Sequence, residues 1–230
     1  MTEEGPGHSG PSALEADLVF TRVLELHDNP VQGHFNLAHL KAIHAYLFQD
    51  FPEHRPGRVR DDTTERWTKQ RVLEGWTRAY AVHYAHDAVE ARISAILRAF
   101  GGTRGLHGRS LDAASARLAA LYGDLDHAHG FYEGNSRTLR EFTRELALAS
   151  GFSLDWVGTR VGADERNRLY IARDIAVLER AFPGLTPDRA METDDRAEYE
   201  ASFTLEGLRR RAGDWPLAAI VRQALSRSPD

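Results

Sequence analysis

An all-α domain with at most a small β-hairpin is the fold class this chain predicts, on three observations. Apolar residues recur at helical spacing in segment after segment. Serines, glycines and prolines punctuate the ends of those segments, and nowhere does strand-like alternation trade places with helix. Length agrees: 230 residues, 42% hydrophobic and 27% charged, suit one domain with its own core and an appended helical segment.

The elements follow in order. Residues 1–11, opening MTEEGPGHSG, read as a disordered leader. Ser12 with Glu15 three positions on is a capping box ahead of Leu14, Leu18, Val19 and Leu26, so the first helix runs to about His27. In NLAHLKAIHAYLFQD, Leu37, Leu40, Ile43 and Leu47 make an amphipathic helix ending near Asp50. The stretch FPEHRPGRVRDDTTERW, with two prolines and a glycine, reads as an irregular loop or small hairpin, and residues 68–86 fit neither period. Asp87 is the expected cap of a helix carrying Val89, Ile93, Ile96, Leu97 and Phe100, closed by Gly101 and Gly102. Ser110 caps the next, with Leu111, Ala114, Leu118, Leu121 and Leu125, which stops where Gly130 interrupts it. Asn135 to Ala149 is a helix with Leu139, Phe142, Leu146 and Leu148 mostly inward, ended by Ser150 and Gly151. Residues 164–182 and 195–211 are two more, and Asp214-Trp215-Pro216 starts a last short one. The expected division is a core over 12–160 and a C-terminal helical segment over 161–230 packed on it.

Composition narrows function. A net charge of -5 argues against a general nucleic-acid binder, so any basic site is local. No apolar run is long enough to span a bilayer, and the acidic, Gly-rich start is unlike a signal peptide. The expected location is the cytoplasm, or a host reached through a dedicated secretion system. Zero cysteines exclude disulfides, thiolate metal sites and cysteine nucleophiles. Of 29 basic residues only Lys41 and Lys69 are lysine. His83 with His86, and His127 with His129, are spaced like metal pairs but lack a third ligand.

The chemistry concentrates in HGFYEGNSRTLREF, His129 to Phe142. A helix starting near Asn135 exposes unpaired backbone N–H groups, and with the helix dipole these make an anion site. Gly134 lets a phosphate approach the backbone closely. Arg137 and Arg140, three apart, share one helix face, and their guanidinium forks suit phosphate oxygens. Glu133 is an acidic oxygen donor beside this basic cradle, and a divalent cation bridging phosphates explains its presence. His129, with an ordinary pKa of about 6.5, is suited to accept a proton from an attacking hydroxyl. The chemistry inferred is nucleophilic attack on a Mg²⁺-bound nucleotide phosphate. Taken singly, each residue has a plainer reading: a helix-end histidine, a solvated arginine face, a carboxylate favoured at a helix N-terminus.

Together these residues resemble the signature of Fic-domain proteins, H-P-F-x-[DE]-G-N-G-R-x-x-R, at the loop joining two central helices of a compact all-α fold. His129, Phe131, Glu133, Gly134, Asn135, Arg137 and Arg140 agree, while Gly130 stands for the proline and Ser136 for the last glycine. Upstream, HAYLFQD (His44 to Asp50) and Pro56-Gly57-Arg58-Val59-Arg60 resemble the family's helix and the start of its flap. The resemblance implies transfer of AMP from ATP to a Tyr, Thr or Ser hydroxyl of a target protein. It makes His129 the general base and Glu133 the Mg²⁺ ligand. Gly134, Asn135 and Ser136 would bind the inner phosphates, and Arg137 and Arg140 the outer ones. A β-hairpin flap containing Arg60, Asp61, Asp62, Thr63, Thr64 and Trp67 would hold the target segment by main-chain pairing.

Many Fic proteins are silenced by a helix bearing [ST]-x-x-x-E-[GN]. SFTLEG, Ser202 to Gly207, matches it, so Glu206 is expected to pair with Arg140 from an inhibitory helix around 202–207; otherwise inhibition falls to a small antitoxin-like partner. Two alternatives stand beside AMP transfer: a degenerate Fic fold kept as a nucleotide-binding or regulatory module, and transfer of a different nucleotide or a phosphoryl group.

Overall fold

The structure, a computed structural model, describes residues 12–212 and 215–228. The expected disordered leader, residues 1–11, and Asp214 as a helix start lie outside the described residues. Among the described residues the chain is helical with two small two-stranded sheets, and no helix is long and apolar enough to cross a membrane.

Two helices form the centre. Helix α4 (Leu111–Ala128) is capped by Ser110, whose Oγ accepts the Ala113 N–H at 3.2 Å. It buries Leu118, Leu121, Tyr122 and Leu125, each at most 2% exposed and each apolar side chain contributing roughly 1.5–3 kcal/mol. Helix α5 (Asn135–Leu148) returns beside it, burying Leu139, Phe142 and Leu146. Leu148, expected inward, is 51% exposed because, two residues beyond the buried Leu146, it falls on the opposite face of the helix. Around this pair pack α1 (Ala13–Asp28), α2 (Leu37–Leu47) and α3 (Val89–Phe100). On the other side lie α6 (Ala163–Ala181), α7 (Pro187–Glu192), α8 (Arg196–Ala212) and α9 (Leu217–Ala224).

The cap of α3 departs from expectation. Asp87 pairs with Arg92 at 2.6 Å, and the first N–H groups go elsewhere: Ala88 N–H and Val89 N–H each donate to the Asp62 carboxylate at 2.9 Å. The cap thus comes from a residue more than twenty positions upstream, which no local pattern reveals.

The hairpin lies just beyond the segment proposed for it. Strands β1 (Trp67–Arg71) and β2 (Tyr80–Tyr84) pair antiparallel, Trp67 opposite Tyr84 and Arg71 opposite Tyr80. Of the six residues placed in the flap only Trp67 is in a strand, and residues 68–86 supply the rest of the hairpin. A second antiparallel pair, β3 (Phe152–Leu154) with β4 (Leu225–Arg227), fastens the end of the described chain to the exit of α5. The apolar core that contains α4 and α5 also takes in Leu169, Ala172, Leu217, Ile220, Val221 and Leu225, so packing crosses residue 160 without a break.

Candidate active site

The loop between α4 and α5 carries the motif. Helix α4 ends on His129 in a left-handed conformation (φ 48°), its N–H donating to the Leu125 and Asp126 carbonyls at 3.1 and 3.2 Å. The loop then ties itself. Phe131 N–H donates to Asn135 Oδ1 at 2.9 Å, and Asn135 Nδ2 donates back to the Phe131 carbonyl at 2.6 Å. Asn135, expected among the phosphate ligands, spends its side chain on this brace and leaves its backbone N–H in the first turn of α5, where no intrahelical acceptor exists. Gly134 precedes that turn at φ 77°, and a Cβ there would stand 2.1 Å from Phe48 Cζ. A Cβ at Gly130 would meet only the Ile93 side-chain tip, at 2.6 Å.

Two residues hold the loop from outside. His44 Nδ1 accepts the Gly57 N–H at 2.9 Å, which places the ring proton on Nε2; that nitrogen donates to the Glu133 carbonyl at 3.1 Å. The ring also stacks on Phe131 at 3.8 Å. Arg60 is 2% exposed, so the expectation that it contacts a target is corrected. Its backbone N–H donates to the Gly130 carbonyl at 2.9 Å, and its guanidinium to the carbonyls of His129 (2.6 Å), Ala128 (3.3 Å) and Ala85. A helix C-terminus leaves such carbonyls without partners, and a buried fork is well shaped to collect them.

Three of the other proposed flap residues also serve the fold. Asp61 accepts the Tyr132 hydroxyl at 2.6 Å, Asp62 caps α3, and Thr63 N–H donates to the His86 carbonyl at 2.7 Å. Thr64 is exposed, and Trp67 lies under the Arg60 guanidinium, 5.0 Å from its ring centre.

His129 is 5% exposed, its ring against Tyr84 at 4.0 Å, and neither ring nitrogen has a hydrogen-bond partner. Burial, then Lys69, Arg60, Arg71 and Arg173, hold its pKa well below the usual value, so it is neutral at pH 7. The Glu133 carboxylate accepts the Gly134 N–H at 3.0 Å and lies 3.5 Å from Lys69 Nζ and 3.8 Å from Arg137. Arg137 is further held by Glu15 of α1 at 2.7 Å and lies over the Phe48 ring. Arg140 donates to Ser136 Oγ at 2.9 Å, and burial pushes its pKa down to about 10. His129, Glu133, Gly134, Asn135, Ser136, Arg137 and Arg140 are therefore all carried by the α4–α5 loop and the first two turns of α5.

Glu206 does not join them. It is exposed on α8 and pairs with Arg210 one turn on, while Ser202 is buried; α8 packs against α6, α7 and β2. The expected pairing of Glu206 with Arg140 is thus corrected: the pattern matched in sequence, but its glutamate faces solvent and is paired with Arg210.

Sequence reasoning missed the cations behind His129. Lys69 and Arg71 point inward from β1, and Arg71 pairs with the buried Asp174 of α6 at 2.6 Å. Arg173, also on α6, grips Asp126 of α4 with two bonds of 3.0 Å. The available signal was Arg173 and Asp174 following Ile171 and Ala172 on the inward side of a helical period. A cleft of about 710 Å³ between the start of α2 and the end of α3 shares no residue with the motif.

His44 carries a stability consequence. Burial pushes its pKa down to about 4, so the unfolded chain binds a proton near pH 6.5 that the folded chain refuses. The folded state therefore loses stability as pH falls from about 6.5 towards 4, by about 2 kcal/mol at pH 5 from this residue. His127 and His129, also lowered, act in the same direction. Urea denaturation from pH 8 to pH 5 should show the loss, and His44→Gln should flatten that slope; an unchanged slope would refute the assignment.

Residues 34–147 match the Fic/DOC family. The chain is 29% identical over 158 residues to the protein adenylyltransferase VbhT of Bartonella schoenbuchensis, covering 69% of this chain and 30% of that one. It is 26% identical over 140 residues to a protein adenylyltransferase of Bartonella henselae, covering 58% and 25%. The chain thus spans less than a third of the length of these two relatives. Among solved structures, BepC of Bartonella tribocorum, a VirB-translocated effector with bound AMPPNP, aligns over 94% of this chain and 86% of that one, with a TM-score of 0.62 at 18% identity, and so shares the fold. Through residues 34–147, with the motif loop near their C-terminal end, the chain belongs to the Fic/DOC family.

Proposed function

We propose that this protein transfers AMP from ATP to a hydroxyl side chain of Tyr, Thr or Ser on a target protein, in a Mg²⁺-dependent reaction. The observation that carries this reading is His129: neutral, enclosed, with both ring nitrogens free, at the mouth of the α5 N-terminus. The names of VbhT and its Bartonella henselae counterpart, both protein adenylyltransferases, and the AMPPNP in BepC support it.

In this reading the phosphates lie on the backbone N–H groups of Asn135, Ser136 and Arg137, where the helix dipole favours negative charge. Arg137 and Arg140 hold the outer phosphates and fix the α-phosphorus towards the target. The target oxygen bonds to the α-phosphorus as its proton passes to a His129 ring nitrogen. The bond from the α-phosphorus to the bridging oxygen breaks, and pyrophosphate leaves.

A single carboxylate among cations, Glu133, suits Mg²⁺, which keeps most of its shell as water and phosphate oxygen. Among the described residues no cluster of three or more potential ligands competes for that role. Bound there, Mg²⁺ would supply charge neutralisation of the phosphates. The target segment would run along the hairpin as an added strand, beside the outward-facing Thr68 and Gln70 of β1.

One observation favours the degenerate alternative. Arg137 is already held by Glu15, and Arg140 by the Ser136 hydroxyl that stands where the family has glycine. A protein so arrested would bind ATP and modify nothing. Intact-mass spectrometry separates the readings: the protein is incubated with ATP, Mg²⁺ and a cell lysate. An adduct of AMP mass on the chain or on a lysate protein supports transfer. ATP binding without any adduct supports the arrested module, and an adduct of another mass identifies a different transferred group. The proteome in which an adduct appears decides between a toxin and a host-directed effector.

A further inference from the structure

Behind Arg140 the structure gathers a second set of donors that the motif does not contain. Arg173 on α6 points Nε and Nη2 at Asp126, which leaves Nη1 facing away; that atom is fully buried and has no hydrogen-bond partner. The Arg173 side chain is 3% exposed, and its guanidinium lies 5.4 Å from the Tyr122 ring centre and 5.6 Å from that of Tyr170. Tyr122 OH and Arg160 Nε are likewise buried and without partners. Arg160 ends a 3₁₀ turn (Gly158–Arg160) that packs on α6, and the neighbouring Trp156 lies 5.3 Å from Tyr122.

The charges do not balance. Asp126 answers Arg173, but among the described residues no carboxylate is paired with Arg140 or Arg160. Arg160 and Arg173 are also the cations that, after burial, most depress the Arg140 pKa, which places all three in one electrostatic neighbourhood. Buried donors are satisfied in the great majority of cases, and one left open is costly, more so when charged. Three open donors and two uncompensated guanidinium groups in one electrostatic neighbourhood suit a compact dianion.

We propose that Tyr122, Arg160 and Arg173 extend the Arg140 subsite into a receptor for the terminal phosphate of a nucleoside triphosphate, and so set the preference for triphosphate over diphosphate. The inference rests on the nucleotide-transfer reading. It adds residues from α4, α6 and the 3₁₀ turn to a site otherwise confined to the motif loop. Asp126 is the positioning residue: its two bonds aim Arg173 with Nη1 free.

The test is calorimetric titration of the full chain with ATP, ADP and AMP in Mg²⁺, on wild type, Arg160→Gln and Tyr122→Phe. A third variant, Arg173→Gln with Asp126→Asn, removes the buried pair together so that neither charge is orphaned. The expected result is ATP bound more tightly than ADP by wild type, and ATP affinity about 10-fold weaker in Arg160→Gln, as for loss of one charged hydrogen bond. ADP and AMP affinities stay at wild-type values. Tyr122→Phe, which loses an unpartnered hydroxyl and nothing from the core, shows the same selective weakening with an unchanged melting temperature. If wild type binds ATP and the variants weaken all three nucleotides alike, or none, the receptor is refuted while the function stands. If wild type binds no nucleotide, the functional reading itself falls and takes this inference with it.

Discussion

If the proposed AMP transfer holds, His129→Asn should slow it by about 10²–10⁴-fold, the usual worth of a positioned general base, and leave ATP affinity unchanged. Asparagine is the informative replacement because position 129 sits at φ 48°, a conformation asparagine tolerates and alanine resists. The variant therefore keeps the loop and loses the base. Glu133 is poorly placed to substitute, being engaged by Gly134 N–H, Lys69 and Arg137. The pH profile gives a second readout. Only neutral imidazole takes a proton, so the rate falls as pH drops through the His129 pKa. In the free protein that pKa is held well below 6.5, by burial and then by Lys69, Arg60, Arg71 and Arg173. A bound triphosphate offsets those cations and raises it. The acid limb of kcat, which reports the nucleotide complex, should therefore lie at higher pH than that of kcat/KM. Wild-type rates in His129→Asn, or an acid limb that survives the substitution, would remove His129 from the mechanism.

Gly134→Ala should unfold the site rather than tune it. An alanine at φ 77° costs roughly 1–2 kcal/mol in backbone strain. Its Cβ would also fall 2.1 Å from Phe48 Cζ, in a ring with no exposed surface, and overpacking of that kind adds about 1–3 kcal/mol. Against a typical total of about 5–15 kcal/mol, a loss of about 2–5 is severe. Urea denaturation measures it, and Gly134→Ala with Phe48→Leu separates the parts, since the smaller side chain relieves the collision and leaves the strain. A Gly134→Ala variant as stable as wild type would contradict the close approach of α2 to the loop.

What could be read from the letters divides along physical lines. The motif was legible because its chemistry is contiguous: base, acid, glycine and two arginines within twelve positions. Helices α2, α4 and α5 were legible because apolar spacing reports a buried face directly. The hairpin was not, although β1 alternates inward and outward: its inward residues are Trp67, Lys69 and Arg71, and two cations hide the alternation from any hydropathy pattern. The partners of the site were hidden by distance along the chain. Glu15 reaches Arg137 across 122 positions and Asp126 meets Arg173 across 47. For Glu206 the local pattern was present, but which side of the molecule α8 occupies is decided by its packing on α6 and β2.

The placement of Arg60 has a mechanical consequence. One guanidinium grips Ala85, at the exit of the hairpin, together with Ala128 and His129, at the end of α4. Its backbone holds Gly130 as well, so the base and the hairpin are anchored to the same buried rivet. On the proposed reading, a target segment that pulled on the hairpin would therefore pull on the His129 carbonyl. In the proposed reaction docking and proton transfer would share a single fulcrum, and a poorly fitting target would tilt the imidazole out of line before any phosphate bond breaks.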